Sequence, residues 1–350
     1  MKRFYTRVCN FYYGEESKKL VNKKKTIPLN GNKNISFDHI EIISRNSKKI
    51  IPLKKINNLS KLIKKQVILD LEKIRSKKKN FANLNFSQIP NIMGVLNITP
   101  DSFSDGGKFN NKNKALTHAL EMFKSGASII DVGGESTRPG SKAINNKLEW
   151  KRIEKFIKSA NKKIPISLDT RKSDIMEKGI NYGVKIINDV SGLNYDIETI
   201  NVLKKYKISF ILQHSKGNPE NMQNKPYYKN ELLDIYDYFE KKINILRSIG
   251  ILHSKIIIDP GIGFGKNLKH NMNLISNISI FHSLGFPILV GNSRKRFIKQ
   301  ISGKNDTKNR VGGTVASSIY LMMQGVQILR VHDVNELLQG IKVFKKLINQ

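Results

Sequence analysis

One cysteine, Cys9, stands in 350 residues, so neither a disulfide framework nor a thiolate metal cluster is available to this chain. No apolar run approaches the roughly eighteen residues that a membrane-spanning helix needs. Lys2, Arg3 and Arg7 open the chain as a secretory signal might, but Glu15 and Glu16 arrive where its apolar segment would have to be. A cytoplasmic protein is the expectation. Acidic residues are also scarce: 28 against 62 basic ones, a net charge of +34. Such an excess raises the question of nucleic acid. Residues 1–80 hold 22 Lys/Arg against 6 Asp/Glu, and the remaining chain is basic too. The excess is therefore spread along the sequence, among many Asn and Ile residues, rather than gathered in a patch. The expectation is a solvated basic surface with no specific nucleic-acid partner and no membrane partner.

What is present, from residue 91 onward, is a rhythm. Eight short apolar runs alternate with amphipathic segments: NIMGVLNIT (91–99), SIIDVGG (128–134), PISLDT (165–170), KIINDVS (185–191), ISFILQH (208–214), KIIIDPG (255–261), PILVGNS (287–293) and QILRVHD (327–333). Nearly continuous apolar cores of this length fit parallel strands covered by helices. Eight such repeats in about 260 residues have the size of a (β/α)8 barrel. An open doubly wound sheet is the alternative. The runs end in polar or reactive residues: Asn97, Glu135, Asp169, Asn188, His214, Asp259, Ser293, Arg330 and His332. In a barrel those ends open on one face, where active sites are built.

The first 85 residues differ. Segments 36–43 and 49–53 have strand character, and 58–76 has helical spacing, with Asn58 or Ser60 as its cap. Lys77–Lys79 lead into an Asn-rich linker. The expected organisation is an α+β extension over 1–85, poorly ordered in about its first 25 residues, and a barrel over 86–350. Removing residues 1–25 is expected to leave catalysis intact.

Several loops carry chemistry. NITPDSFSDGG (97–107) is longer than a tight βα turn, with Pro100 stopping the strand pattern, though alone it serves equally as a surface loop. GGESTRPGS (133–141) offers the Thr137 hydroxyl and the Arg138 guanidinium before Pro139, a combination suited to an anion. Each Asp at a strand end could equally cap a helix, and His332 alone could be structural. GIGFGK (261–266) lacks the Ser/Thr and spacing of a phosphate-binding P-loop, and its glycines miss the dinucleotide fingerprint.

Taken together with LDT (168–170), INDVSG (187–192), DPGIGFGK (259–266), GNSRKRF (291–297) and RVHD (330–333), these loops resemble the dihydropteroate synthase family over roughly residues 91–340. The resemblance implies an alkyl-group transferase of folate biosynthesis. Such an enzyme joins 4-aminobenzoate to a hydroxymethyl-dihydropterin diphosphate and releases diphosphate. It places the pterin among Asp169, Asn188, Asp259, Phe264, Lys295 and Arg330, where carboxylates accept from the amino-pyrimidinone edge. It places the diphosphate near Asn97, Thr137, Arg330 and His332, with Mg2+ held partly by Asn97. The 4-aminobenzoate site would comprise Phe103, Thr137, Arg138, Pro139, Ser293 and Arg296. Asp105, Arg138, Lys295, Arg330 and His332 would carry catalysis, and the protein would be a homodimer and a sulfonamide target. Two departures stand out. Arg296 lies where some members carry Ser, and Ser215 and Lys216 replace a Met-containing segment that flanks the pterin in relatives. The neighbouring alternatives are a pterin-binding methyltransferase barrel and a catalytically silent barrel.

Overall fold

The computed structural model describes residues 4–99, 111–138, 140–217 and 220–349. All eight apolar runs are parallel strands: β5 (Asn91–Asn97), β6 (Ile129–Gly133), β7 (Ile166–Asp169), β8 (Ile186–Asp189), β9 (Ser209–Gln213), β10 (Ile256–Asp259), β11 (Leu289–Val290) and β12 (Ile328–Val331). Their spatial order is β10-β9-β8-β7-β6-β5-β12-β11. The two ends of that order meet. Ile258 of β10 bridges Ile288 in parallel, and the Ile258 N–H donates to the Pro287 carbonyl at 3.0 Å. The sheet is thus a closed barrel rather than an open one.

Helices α3 (Asn111–Lys124), α4 (Asn146–Ala160), α5 (Ser173–Asn181), α6 (Thr199–Tyr206), α7 (Glu231–Ser248), α8 (Leu268–Ser276), α9 (Arg296–Ser302), α10 (Val311–Met323) and α11 (Val334–Ile348) follow the strands. They form because their apolar residues return at helical spacing. In α7, Leu232, Leu233, Tyr236, Phe239, Ile243 and Leu246 are all buried on one face. Asn145 and Asn230 cap α4 and α7 by accepting from Leu148 and Leu233 N–H.

Alternate residues of a strand face opposite ways, and here that alternation divides the barrel. Met93, Ile129, Ile186, Ile211, Ile257, Leu289 and Ile328 fill its interior as one apolar layer, closed from below by Leu84 and Phe86 of the preceding segment. A packed floor of this kind leaves only the opposite, C-terminal end for chemistry.

The N-terminal extension is a four-stranded antiparallel sheet. The long strand β3 (Asn32–Ile43) pairs with β1 (Tyr5–Tyr13) and also with β2 (Ile27–Leu29) and β4 (Lys48–Pro52). Helix α1 (Gly14–Asn22) follows β1, and α2 (Lys61–Arg75) follows β4. The expected strands and helix are present within a few residues of their anticipated bounds. The expectation that the first 25 residues are poorly ordered is corrected over 4–25. β1 holds register with β3 from Tyr5↔Ile43 to Tyr13↔Ile35, and Tyr5 and Val8 are fully buried. The charge run at Lys18–Lys25 concealed an aromatic, β-branched strand before it. That strand and α2 cover a short turn of helix, Ile278–Leu284, between α8 and β11, all seven of whose residues are buried.

Candidate active site

Two residues beyond five of the seven apolar layer positions, the same inward phase of the barrel turns polar. Ile129 is followed by Asp131, Ile186 by Asn188, Ile211 by Gln213, Ile257 by Asp259 and Ile328 by Arg330, with Asp169 two residues after Ser167. The strand register therefore delivers three carboxylates, two amides and one guanidinium to a single ring without any help from loops. Arg330 ties it together. Its Nε donates to Asp131 Oδ2 at 2.6 Å and its Nη2 to Asp169 Oδ2 at 2.8 Å. Asn188 Nδ2 also donates to Asp131 Oδ2, at 2.9 Å. Burial pushes the Asp169 carboxyl up, against the pull of Arg330.

Asp131 Oδ1 and Asn188 Oδ1 are buried with no hydrogen-bond partner in the protein. An unmatched buried acceptor is costly, and two of them on one ring fit a ligand that presents N–H donors.

Asp259 enters the ring beside a glycine turn. Its Oδ1 accepts from the Gly261 N–H at 2.8 Å. Gly261 has φ +66°, and a Cβ there would lie 2.0 Å from the His214 carbonyl oxygen, so only glycine fits. Buried Lys266 fixes this turn by donating to the Gly261 and Phe264 carbonyls, both at 2.9 Å, and to His214 Nδ1 at 3.0 Å. The turn presents Phe264, whose ring lies 4.1 Å from Lys295 Nζ. Burial raises the Asp259 pKa to about 6, opposed by the Gly261 N–H and by Lys295. Burial lowers the Lys295 pKa to about 8, opposed by Asp259.

Above the ring opens a cavity of about 540 Å³. Asn97, Thr137, Arg138, Phe264, Ser293, Lys295, Arg296, Arg330 and His332 all line it. Asp169, Asn188 and Asp259 belong to the buried polar ring beneath. His332 Nδ1 lies 3.1 Å from Ser293 Oγ. Burial, then the charges of Arg330 and Arg294, lower the His332 pKa to about 3. It is a neutral imidazole at physiological pH, able to donate one hydrogen bond but not, by itself, a charge. Arg294 is engaged by Asp333, with Nε donating at 3.0 Å. Arg296 is exposed at the start of α9.

The chain matches the family model for pterin-binding enzymes over residues 93–332. It is 41% identical to a dihydropteroate synthase of Synechocystis sp., over 72% of this chain and 88% of that protein. The chain belongs to the dihydropteroate synthase family. A solved member from Clostridium difficile, determined in the presence of pteroic acid, aligns with TM-score 0.69 at 39% identity, covering 75% of this chain and 97% of that one. A Yersinia pestis member in a sulfonamide complex aligns with TM-score 0.72 at 38% identity, covering 76% and 97%.

Within that family frame, the described residues that the resemblance assigned to the site lie at one barrel mouth, in the cavity wall or in the ring beneath it. Phe103, Asp105 and Pro139 lie outside the described residues. Asp131 and Lys266 were not anticipated, although Asp131 has a legible signal: it stands in the inward phase of its strand, as Asp169 and Asp259 do. Of the departures, Lys216 turns away to lie over the Tyr228 ring, 4.7 Å from its centre. Met222, farther along the same loop, lines the cavity instead and returns a thioether to this wall.

A pH profile follows from the two shifted groups. Ionised Asp259 offers acceptors only, whereas protonation turns one of its oxygens into a donor facing the heterocycle's own N–H groups, and Lys295 donates with a full charge only when protonated. The expected kcat/KM for the pterin diphosphate is bell-shaped. It falls below about pH 6 as Asp259 gains a proton, and above about pH 8 as Lys295 loses one. Steady-state rates across pH 5–9 in the wild type and in Lys295→Arg check this. An alkaline limb unmoved by the substitution would remove Lys295 from the assignment.

Proposed function

We propose that the chain condenses 6-hydroxymethyl-7,8-dihydropterin diphosphate with 4-aminobenzoate to give 7,8-dihydropteroate and diphosphate. The observation that carries this is the vertical order at the mouth: a buried ring of carboxylates and amides below, cations and hydrogen-bond donors above, and Arg330 at the junction. The pterin's amino and ring N–H groups meet Asp259, Asp131 and Asn188. Lys295 donates to its acceptor atoms, and Phe264 covers its face. The diphosphate then extends past Arg330 toward His332, Ser293 and Asn97.

The bond that breaks joins the pterin methylene carbon to the diphosphate oxygen, and the electron pair leaves with the diphosphate. The bond that forms joins that carbon to the amine of 4-aminobenzoate, which gives up one proton. Carboxylates under the ring favour the positive charge that develops there, while Arg330 and the neutral His332 donate to the departing oxygens. An arriving diphosphate also raises the His332 pKa, because an anion stabilises imidazolium. No covalent enzyme intermediate is required. Arg138, Thr137 and Arg296 line the wall where the aminobenzoate carboxylate enters.

Among the described residues, no group of three or more His, Cys, Asp and Glu side chains could hold a metal ion. Asn97 offers one neutral oxygen, a donor set that fits Mg2+ arriving on diphosphate oxygens rather than a resident ion. When bound there, Mg2+ would neutralise charge on the leaving group. The homodimer and cytoplasmic setting implied by the family belong to the same proposal. No helix among the described residues is long and apolar enough to cross a membrane.

Purified protein with Mg2+ is expected to release pyrophosphate only when both substrates are present, and chelation is expected to slow it. Release without 4-aminobenzoate would indicate a hydrolase, and no release with both would overturn the proposal.

A further inference from the structure

Four charged side chains are buried together beside the mouth but outside it: Glu135, Glu149, Arg171 and Lys172. Arg171 Nε donates to Glu135 Oε2 at 2.8 Å. Lys172 Nζ donates to Glu135 Oε1 at 3.0 Å, to Glu149 Oε2 at 2.6 Å and to the Ile144 carbonyl at 2.5 Å. Glu149 in turn accepts from Thr170 Oγ1 at 2.7 Å.

The geometry points to Lys172 as a positioning residue for the arylamine acceptor, acting by clasping the neck of the loop that carries Thr137 and Arg138. This rests on the function proposed above and deepens it. Glu135 begins that loop and Ile144 ends it. The two ends are joined directly by the Ile144 N–H donating to Glu135 Oε1 at 2.9 Å, and Lys172 holds both at once. Between them, among the described residues, hydrogen bonds stay inside the loop: Ser141 Oγ donates to the Ser136 and Arg138 carbonyls at 2.6 and 2.7 Å. The pitch at which Thr137 and Arg138 enter the cavity is therefore set at the neck. The foundation of the clasp is firm, because Glu149 stands on α4, fully buried, and Lys172 precedes α5.

Stability alone does not call for this arrangement. A buried cluster of two carboxylates and two cations recovers little more than its desolvation cost, and apolar packing commonly does as well. What it supplies is fixed geometry at the base of a loop that, among the described residues, otherwise ties only to itself. The pterin ring of Asp169, Asn188 and Asp259 stands on strand ends and does not depend on that loop.

The test compares wild type, Lys172→Arg, and the double variant Lys172→Met with Glu149→Gln, which removes one charge of each sign and so avoids stranding a buried ion. Steady-state KM for 4-aminobenzoate and equilibrium binding of the pterin diphosphate are measured on each. The double variant is expected to raise the acceptor KM about tenfold, since a displacement near 1 Å is enough for such losses. Pterin affinity is expected to stay within about twofold, and Lys172→Arg to recover most of the acceptor KM. Equal losses for both substrates would mean a general structural role and overturn the inference, as would an unchanged acceptor KM. An inactive wild type would instead strike at the function itself.

Discussion

Replacing Arg330 with alanine is expected to reduce turnover by about 10²–10³-fold, the usual cost of removing one donor aimed at developing negative charge. Two effects of the guanidinium are lost together. One is the hydrogen-bond donation to the diphosphate as its bond to carbon breaks. The other is charge balance in the ring, because Arg330 faces both Asp131 and Asp169. A buried carboxylate left without its cation costs about 3–5 kcal/mol, but burial already holds the Asp169 carboxyl up. Without Arg330 that carboxyl moves up further and takes a proton, which limits the loss. The alanine variant should therefore remain folded, lose more stability at pH 8 than at pH 6, and turn over slowly everywhere. Lys at this position keeps the charge but cannot reach two carboxylates as a planar fork, so it should fall between. Pyrophosphate release and thermal melts at pH 6 and pH 8 check both halves. Turnover within a factor of three of wild type would remove Arg330 from the mechanism.

The strands and the site were readable in sequence for the same physical reason. Runs such as Ile256–Ile258 are apolar on both faces because a parallel barrel strand is covered outside by helices and packed inside by its neighbours. Such a run can only stop where the interior stops, so the first polar residue, Asp259 or Arg330, marks the mouth. Asp131 did not stand out because Glu135, four residues farther on, was read as the polar end of its run. Counting by twos from the apolar layer would have found it. The clasp at Lys172 carries no such signal. It depends on a loop neck closed by Ile144 and on Glu149 arriving from α4, contacts 23 to 37 residues apart. The end of β5 at Asn97 was evident from the polar residues that follow it, whereas Phe103 and Asp105 lie outside the described residues.

Removing residues 1–25 is expected to abolish the cooperative melt, contrary to what the sequence alone implied. Deletion would take β1 from β3 and uncover Phe37 and Ile40 on one side and the buried turn Ile278–Leu284 on the other. Three ties show that β1 is part of the barrel's outer wall. Ser279 Oγ donates to the Val8 carbonyl at 2.8 Å. Tyr13 Oη donates to the Met323 carbonyl at 2.9 Å. Tyr5 Oη donates to Asp237 of α7 at 2.7 Å, while its ring meets Tyr236 edge-on at 5.1 Å. Helix α8 is short, and the turn after it offers no amphipathic face of its own, so the extension takes the place of a longer covering helix there. Tyr5→Ala separates stability from catalysis. Truncating so large a buried ring should cost about 3–5 kcal/mol, yet rates per folded molecule should hold, because the described residues lining the cavity begin at Asn97. A truncated protein that melts like the full chain would show that the barrel closes its own wall, and that β1 only rests upon it.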